Sequence, residues 1–173
     1  LYGSVVNIKE LKKITKNKNI YILDDCAQAH GAKHLNFKRV GGANVTDIST
    51  FSLYPGKNLG AYGDAGIITT NSRKLSERIR KIRNIGASVK FNHELIGYNN
   101  RLDTLQASIL IHKIGQLDKL NKNRVSISNR YFAEIKNQNI KFLDYSPNSV
   151  FHQFVIRLNK RNLFIKYLKK LIY

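Results

Sequence analysis

The stretch Ile48-Ser49-Thr50-Phe51-Ser52-Leu53-Tyr54-Pro55-Gly56-Lys57-Asn58-Leu59-Gly60-Ala61 decides how this chain is read. Its first part, Ile48 to Leu53, predicts a strand, and a second strand is expected at Gly66 to Thr70. The segment between them, Tyr54 to Asp64, is rich in turn residues. A side chain in such a turn emerges at the carboxyl edge of a sheet, the usual ligand crevice of an open α/β domain. Lys57 stands there. Its amine can form a Schiff base with a carbonyl, although one lysine among 20 carries no signal by itself.

The neighbours supply the signal. Ser52, at the end of the same strand, offers a hydroxyl that can donate to a phosphate. Upstream, Ile20-Tyr21-Ile22-Leu23 is a short apolar run ending in Asp24-Asp25, the pattern of a buried parallel strand that delivers polar groups at its carboxyl end. Strand alternation sends the two carboxylates to opposite faces, so only one can point into a given crevice. A carboxylate against a protonated pyridine nitrogen, with a lysine beside it, is what pyridoxal chemistry needs. Gln28 and His30 follow in D-D-C-A-Q-A-H-G-A. Cys26 and His30 lack two further ligands at zinc spacing, and no base pairs with Cys26, which reads as a small buried hydrophobe.

Outward from this centre, strands alternate with helices. Asn7-Ile8-Lys9-Glu10 has the form of a capping box, and Leu11 and Ile14 continue a helix to about Asn17. Ser72 to Ile85 carries Leu75, Ile79 and Ile82 at helical spacing amid six basic residues, predicting an amphipathic helix with a basic outer face. Leu102 to Ile135 predicts one long helix or two in succession, with possible breaks at Gly115 and at Asn121-Lys122-Asn123. Lys141 to Leu143 and Val150 to Leu158 read as strands and Asn162 to Leu171 as a basic helix. The class is α/β.

The 173 residues hold 30 Lys plus Arg against 11 Asp plus Glu, a net charge of +19, with one Cys and no Met or Trp. Leu, Ile, Val and Phe number 54, enough for a folded core. The longest stretch free of charged residues, Tyr145 to Ile156, is 12 residues, against the ~20 that a membrane span needs. The opening lacks the order of a signal peptide, and a single Cys cannot form an internal disulfide, so the cytoplasm is expected. With no Met, residue 1 reads as an internal point of a longer sequence. The charge invites nucleic-acid binding. A Lys-rich codon bias, with 19 Asn and 20 Ile, explains it as readily.

Four blocks in order, Leu23 to Ala32, F-S-L-Y-P-G-K-N-L-G-A (Phe51 to Ala61), G-D-A-G-I-I-T-T (Gly63 to Thr70) and G-Y-N-N-R-L-D-T-L-Q-A (Gly97 to Ala107), resemble the DegT/DnrJ family of pyridoxal-phosphate-dependent nucleotide-sugar aminotransferases. Leu-Tyr-Gly at the start and F-H-Q-F-V-I-R (Phe151 to Arg157) fit as well. The resemblance implies a fold-type-I architecture: residues 1–136 as the C-terminal part of the cofactor-binding large domain, with a mainly parallel sheet and the following long helix, and 137–173 as the beginning of the small domain.

It also implies roles. Lys57 matches the lysine that holds pyridoxal 5′-phosphate and shuttles the proton, and Asp25 the aspartate on the pyridine nitrogen. Gln28 matches the side chain near the 3-hydroxyl, Ser52 the phosphate-binding hydroxyl, and Asn99 an asparagine that family homodimers send to the partner subunit's site. The implied reaction moves the amino group of L-glutamate to a nucleotide-linked keto-6-deoxy sugar, in cell-surface polysaccharide biosynthesis. Val89 to Arg101 looks nearest to members acting on dTDP-linked 3-keto sugars, with 4-keto sugars an alternative, and Asn92 and His93 would lie near the sugar. An anionic cofactor and substrate account for much of the charge without nucleic acid.

The sequence also departs from the family. Members are about twice this length, the match begins a third of the way in, and the stretch G-G-A-N-V-T-D before Ile48 replaces a shorter turn. Two readings follow: the central piece of a working aminotransferase, or a truncated remnant without catalysis of its own.

Overall fold

The apolar run after Asp47 becomes the middle strand of a three-stranded sheet. In this computed structural model, which describes residues 1–16, 18–35, 38–43 and 45–172, the sheet order is β1 (Leu23–Asp25), β2 (Ile48–Ser52), β3 (Gly66–Thr69). Strand β1 runs parallel to β2, whereas β3 returns antiparallel, because the connection from Leu53 to Ala65 contains no helix to carry a parallel crossover. The expected parallel pairing is thus the β1–β2 pair. Strand β1 begins at Leu23 rather than Ile20. The Ile22 N–H donates to the Asp47 carboxylate at 2.6 Å, and a side chain there replaces the ladder.

The helices follow their caps. Asn7 accepts the Glu10 N–H at 3.4 Å and opens α1 (Ile8–Thr15); the expected end at Asn17 lies outside the described residues, as does Asn44 in the departing stretch before Ile48. Ser72 caps α2 (Arg73–Arg83) and Asp103 caps α3 (Thr104–Ile114). The long periodic segment is two helices, parted at Gly115-Gln116, and α4 runs unbroken from Leu117 to Glu134. Asn121 does not interrupt it, because its amide bonds away from its own helix, to Asn58 and to the His30 carbonyl.

Between α2 and α3 the chain forms a hairpin, β4 (Ala87–Val89) with β5 (Asn92–His93), where the sequence suggests only a loop. Lys81 of α2, Glu94 and Ser88 hold its base together. The last elements are β6 (Lys141–Phe142), paired antiparallel with β7 (Ile156–Arg157), and α5 (Arg161–Ile172). The strand expected from Val150 pairs only at its far end. Its first residues turn instead to the amino terminus, where the Val150 N–H donates to the Gly3 carbonyl at 3.1 Å. Gly3 has φ +100°, and a Cβ there would lie 2.6 Å from the Phe151 nitrogen, so this close approach requires glycine.

Burial concentrates at three places. Cys26, Ala29, Ala32, Val40 and Val150 pack with Val5 and Phe51; Leu53, Leu59 and Ala61 pack with Leu110 of α3 and Leu117 of α4. The third is aromatic. The Phe132 ring of α4 meets Phe142 at 4.9 Å, Phe154 at 5.0 Å, Phe151 at 6.1 Å and Tyr145 at 6.2 Å, all but Phe142 lying on the segment that leads from β6 to β7. Removing the central ring leaves four rings facing a void, so Phe132→Ala is expected to lower stability by about 3 kcal/mol in chemical denaturation. A loss below about 1 kcal/mol would show that the rings close over the gap.

Candidate active site

Lys57 projects from a loop whose flanks are buried and whose backbone is tied down. The Leu53 N–H donates to the Ala65 carbonyl at 2.8 Å, the Ala61 N–H to Leu53 at 2.7 Å, and the Lys57 N–H to Tyr54 at 2.9 Å, closing a turn. Leu53 and Ala61 are fully buried and Leu59 nearly so, whereas Lys57 stays half-buried between them. A Cβ on Gly60 would lie 2.4 Å from the Pro55 carbonyl oxygen, so the loop closes only with glycine there. Lys113 of α3 donates to the Gly60 carbonyl from below. The apolar anchors thus hold the loop, and the Lys57 side chain stays half-buried, near enough to His30 and His152 for its charge to act on both.

The register of β1 on β2 answers which aspartate can join it. Asp25 pairs with Thr50 and Asp24 with Ser49. Side chains of paired residues share a face, and that face recurs every second residue. Asp25, Thr50 and Ser52 therefore line one face at the carboxyl ends of the two strands, while Asp24 shares the other with Ser49 and Phe51. Asp25 is exposed, and among the described residues its Oδ1 accepts the nearby Ala27 N–H at 3.0 Å and no other. Asp24 is drawn to the thiol of Cys26. That thiol is 1% exposed and is pushed up to about 12, chiefly by burial and then by the Asp24 charge, which leaves it an inert core group.

Gln28 is half-buried. Its Oε1 accepts the Tyr2 N–H at 2.5 Å, so the group it can offer a ligand is its amide nitrogen. The Ser52 Oγ accepts the Tyr54 N–H at 3.4 Å, which leaves its own proton to give. Asn99 stands apart from these residues. It is exposed, bridged to Asn84 through the backbone, and its Oδ1 accepts from Arg101 Nε at 3.0 Å. Asn92 and His93 are exposed on the hairpin, with His93 Nδ1 2.9 Å from the Ile85 carbonyl.

Behind the loop lies a polar layer that the sequence reading leaves out. Asn58 and Asn121 are buried, His30 is 2% exposed, and His152 is half-buried. Asn58 Nδ2 donates to Asn121 Oδ1 at 2.9 Å and to the Val150 carbonyl at 3.1 Å; Asn58 Oδ1 lies 3.0 Å from His152 Nδ1. Asn121 Nδ2 donates to the His30 carbonyl at 2.8 Å. The available signal was the position of Asn58, the residue after Lys57, in a loop otherwise apolar on that side.

The His30 ring packs on Phe51 at 5.5 Å between centroids, and neither ring nitrogen makes a hydrogen bond of normal geometry among the described residues. Burial is the main cause that brings it down to about 4, with the Ser52 backbone opposing and the Lys57 charge adding to the fall. His152 is lowered too, first by burial and then by Lys57 and Arg124. A base whose folded pKa lies below its unfolded value binds a proton more readily once the chain unfolds, so acid favours unfolding. The stability it contributes is complete above pH ~6.5 and is lost as pH falls toward ~4, a total of about 3 kcal/mol for His30. Denaturation midpoints measured from pH 7 to 4.5 should fall accordingly and flatten in His30→Gln; equal slopes in the two proteins would contradict the assignment.

The site thus joins a lysine on a rigid turn, a carboxylate and a hydroxyl at the ends of adjacent parallel strands, and residues 150 to 152, tied to the lysine loop through Asn58. The model of the DegT/DnrJ/EryC1/StrS aminotransferase family matches residues 1–171. A dTDP-3-amino-3,6-dideoxy-alpha-D-galactopyranose transaminase of Aneurinibacillus thermoaerophilus is 44% identical over 170 residues, which is 97% of this chain and 46% of the relative. The crystal structure of DesV from S. venezuelae, 34% identical, superposes with a TM-score of 0.93 over 98% of this chain and 46% of its own. NtdA of Bacillus subtilis, solved with bound cofactor PMP, is 26% identical at a TM-score of 0.80, covering 95% of this chain and 38% of its own. The chain thus spans less than half the length of the relatives it matches. With a family match along nearly all of its residues and a shared fold around the lysine loop, the chain belongs to the DegT/DnrJ/EryC1/StrS aminotransferases.

Proposed function

We propose that the chain is the lysine-bearing part of a pyridoxal-phosphate-dependent aminotransferase that moves an amino group from L-glutamate to a nucleotide-linked keto-6-deoxy sugar. The observation that carries the reading is the common face of Asp25 and Ser52 beside the Lys57 loop. The donor set fits the cofactor: a primary amine for its aldehyde, a carboxylate for its ring nitrogen, an amide nitrogen on Gln28 for its phenolic oxygen and a hydroxyl for its phosphate. When bound, pyridoxal phosphate supplies an electron sink for the carbon at which nitrogen is exchanged.

The chain's own residues do the rest. The anchored turn fixes the backbone of Lys57, whose amine would hold the cofactor's aldehyde and could carry a proton. Asp25 would accept from the pyridine nitrogen and favour its protonated form, and Ser52 would donate to the phosphate. Asn99, exposed and outside this cluster, suits a role in a partner subunit's site within a homodimer.

The names of the relatives support a sugar substrate, and the transaminase of A. thermoaerophilus supports a dTDP-linked 3-keto-6-deoxyhexose in particular. Residues 1–136 belong to the cofactor-binding large domain and 137–173 to the start of the small one. A place in polysaccharide biosynthesis and in the cytoplasm follows from the same reading. Among the described residues no helix is long and apolar enough to cross a membrane.

Titrating the chain with pyridoxal phosphate tests the proposal. A visible absorption band is expected that is absent in Lys57→Ala and that needs at least tenfold more cofactor in Asp25→Asn, the loss of one charge-assisted hydrogen bond. Turnover of dTDP- and UDP-linked keto sugars with glutamate then identifies the substrate. No Lys57-dependent band would favour a remnant without catalysis.

A further inference from the structure

The hydrogen bonds behind Lys57 have a direction that backbone carbonyls impose. A carbonyl can only accept, so the His30 carbonyl fixes which end of the Asn121 amide is nitrogen, and the Val150 carbonyl does the same for Asn58. Asn121 then turns its oxygen to Asn58, and the Asn58 nitrogen serves both that oxygen and Val150. The Asn58 oxygen is left facing His152 Nδ1 at 3.0 Å and can only accept, so Nδ1 must carry the proton.

We infer that His152 is held as the Nδ1–H tautomer and offers its bare Nε2, beside the Lys57 loop to which Asn58 ties it, as an acceptor for a hydrogen-bond donor on the substrate, a hydroxyl or an ammonium group. Nε2 makes no hydrogen bond among the described residues, and unlike the ring nitrogens of His30 and His34 it is not sealed away from solvent. His152 lies on the segment that Asn58 pins against the lysine loop. The charged and titratable groups that act on it are Lys57 of the loop, Arg124 of α4 and the His30 imidazole, and each opposes a second proton on the ring. Arg124 Nη1 is directed at the carbonyls of Phe151 and His152 at 3.5 and 3.4 Å, so its charge sits on the backbone side. An unprotonated Nε2 repels carboxylate and phosphate oxygens and takes only a donor. The tautomer stands on geometry alone; the identity of the donor rests on the aminotransferase reading.

The test uses the whole chain with 15N-labelled histidine. Long-range proton–nitrogen spectra at pH 7 should show His152 Nδ1 protonated and Nε2 bare. Adding dTDP-glucose or, separately, L-glutamate should move the Nε2 resonance toward its hydrogen-bonded position while Nδ1 stays in place; the probe that acts tells hydroxyl from ammonium. His152→Asn keeps an amide donor for Asn58 and should retain the melting temperature while weakening that probe about fivefold, the effect of one net hydrogen bond. His152→Gln keeps an acceptor near Nε2 but loses the bond to Asn58, so it should melt earlier while holding the probe. A protonated Nε2, or an Nε2 resonance that neither probe moves, overturns the inference. A Lys57-dependent band with pyridoxal phosphate beside a silent Nε2 overturns it and leaves the aminotransferase reading intact. An Nε2 response without the band does the reverse.

Discussion

The Asn58 side chain is the constraint on which the site depends. One buried amide ties the lysine loop to two distant parts of the chain: Asn121 on α4, and the segment between β6 and β7 through the Val150 carbonyl and His152. Both of its protons and its oxygen are engaged, and this makes its burial tolerable. A buried amide with one partner removed carries a desolvation penalty of about 1–3 kcal/mol. Such a network gives little net stability but admits one geometry, because each alternative orientation leaves a buried donor or acceptor unmatched. Lys57 inherits its place from this geometry. Its own side chain makes none of the bonds that hold the loop; the residues on either side of it do.

That division explains what was legible in the sequence. The lysine turn, the strand before it and helices α2 and α5 are local patterns of apolar period and turn residues, and they appear close to where the pattern puts them. So do Asp25 and Ser52, once the parity of a parallel strand pair decides between Asp24 and Asp25. The network was not legible, since Asn58 and Asn121 are 63 positions apart and Asn58 and His152 94. Buried asparagines look the same in sequence as the other members of an Asn-rich chain. The start of β1 moved for a related reason: the Asp47 carboxylate, distant in sequence, takes the Ile22 N–H that a strand neighbour would otherwise use. The β4–β5 hairpin has no apolar alternation to announce it. It depends on Gly86, whose φ is +77° and where a Cβ would clash at 1.6 Å with the Leu95 carbonyl.

The large positive charge is offset by few partners within the protein. Four ion pairs are present among the described residues, Arg39–Asp118, Arg73–Glu77, Lys81–Glu94 and Arg130–Glu134, and all lie on exposed or partly exposed surface. With 30 cations against 11 carboxylates, most of the positive field is left uncompensated by protein groups. That field favours anionic ligands at the crevice. It also acts inward, where Lys57 lowers both His30 and His152.

Two opposed polarities therefore meet at one crevice. Lys57 is a cation that favours anionic groups, while the His152 imidazole, lowered first by burial and then by Lys57 and Arg124, is turned by Asn58 so that one lone pair is left over. A site of cations alone would hold phosphates without regard to the rest of the ligand, as basic surfaces do. An acceptor fixed in orientation beside the amine adds discrimination, because a misplaced ligand leaves it unpaired or facing another lone pair, and buried mismatches of that kind separate similar ligands more strongly than charge does. Burial and the directed amide thus act together on His152: burial, helped by the Lys57 and Arg124 charges, opposes a second proton on the ring, and Asn58 decides which of its nitrogens keeps the first.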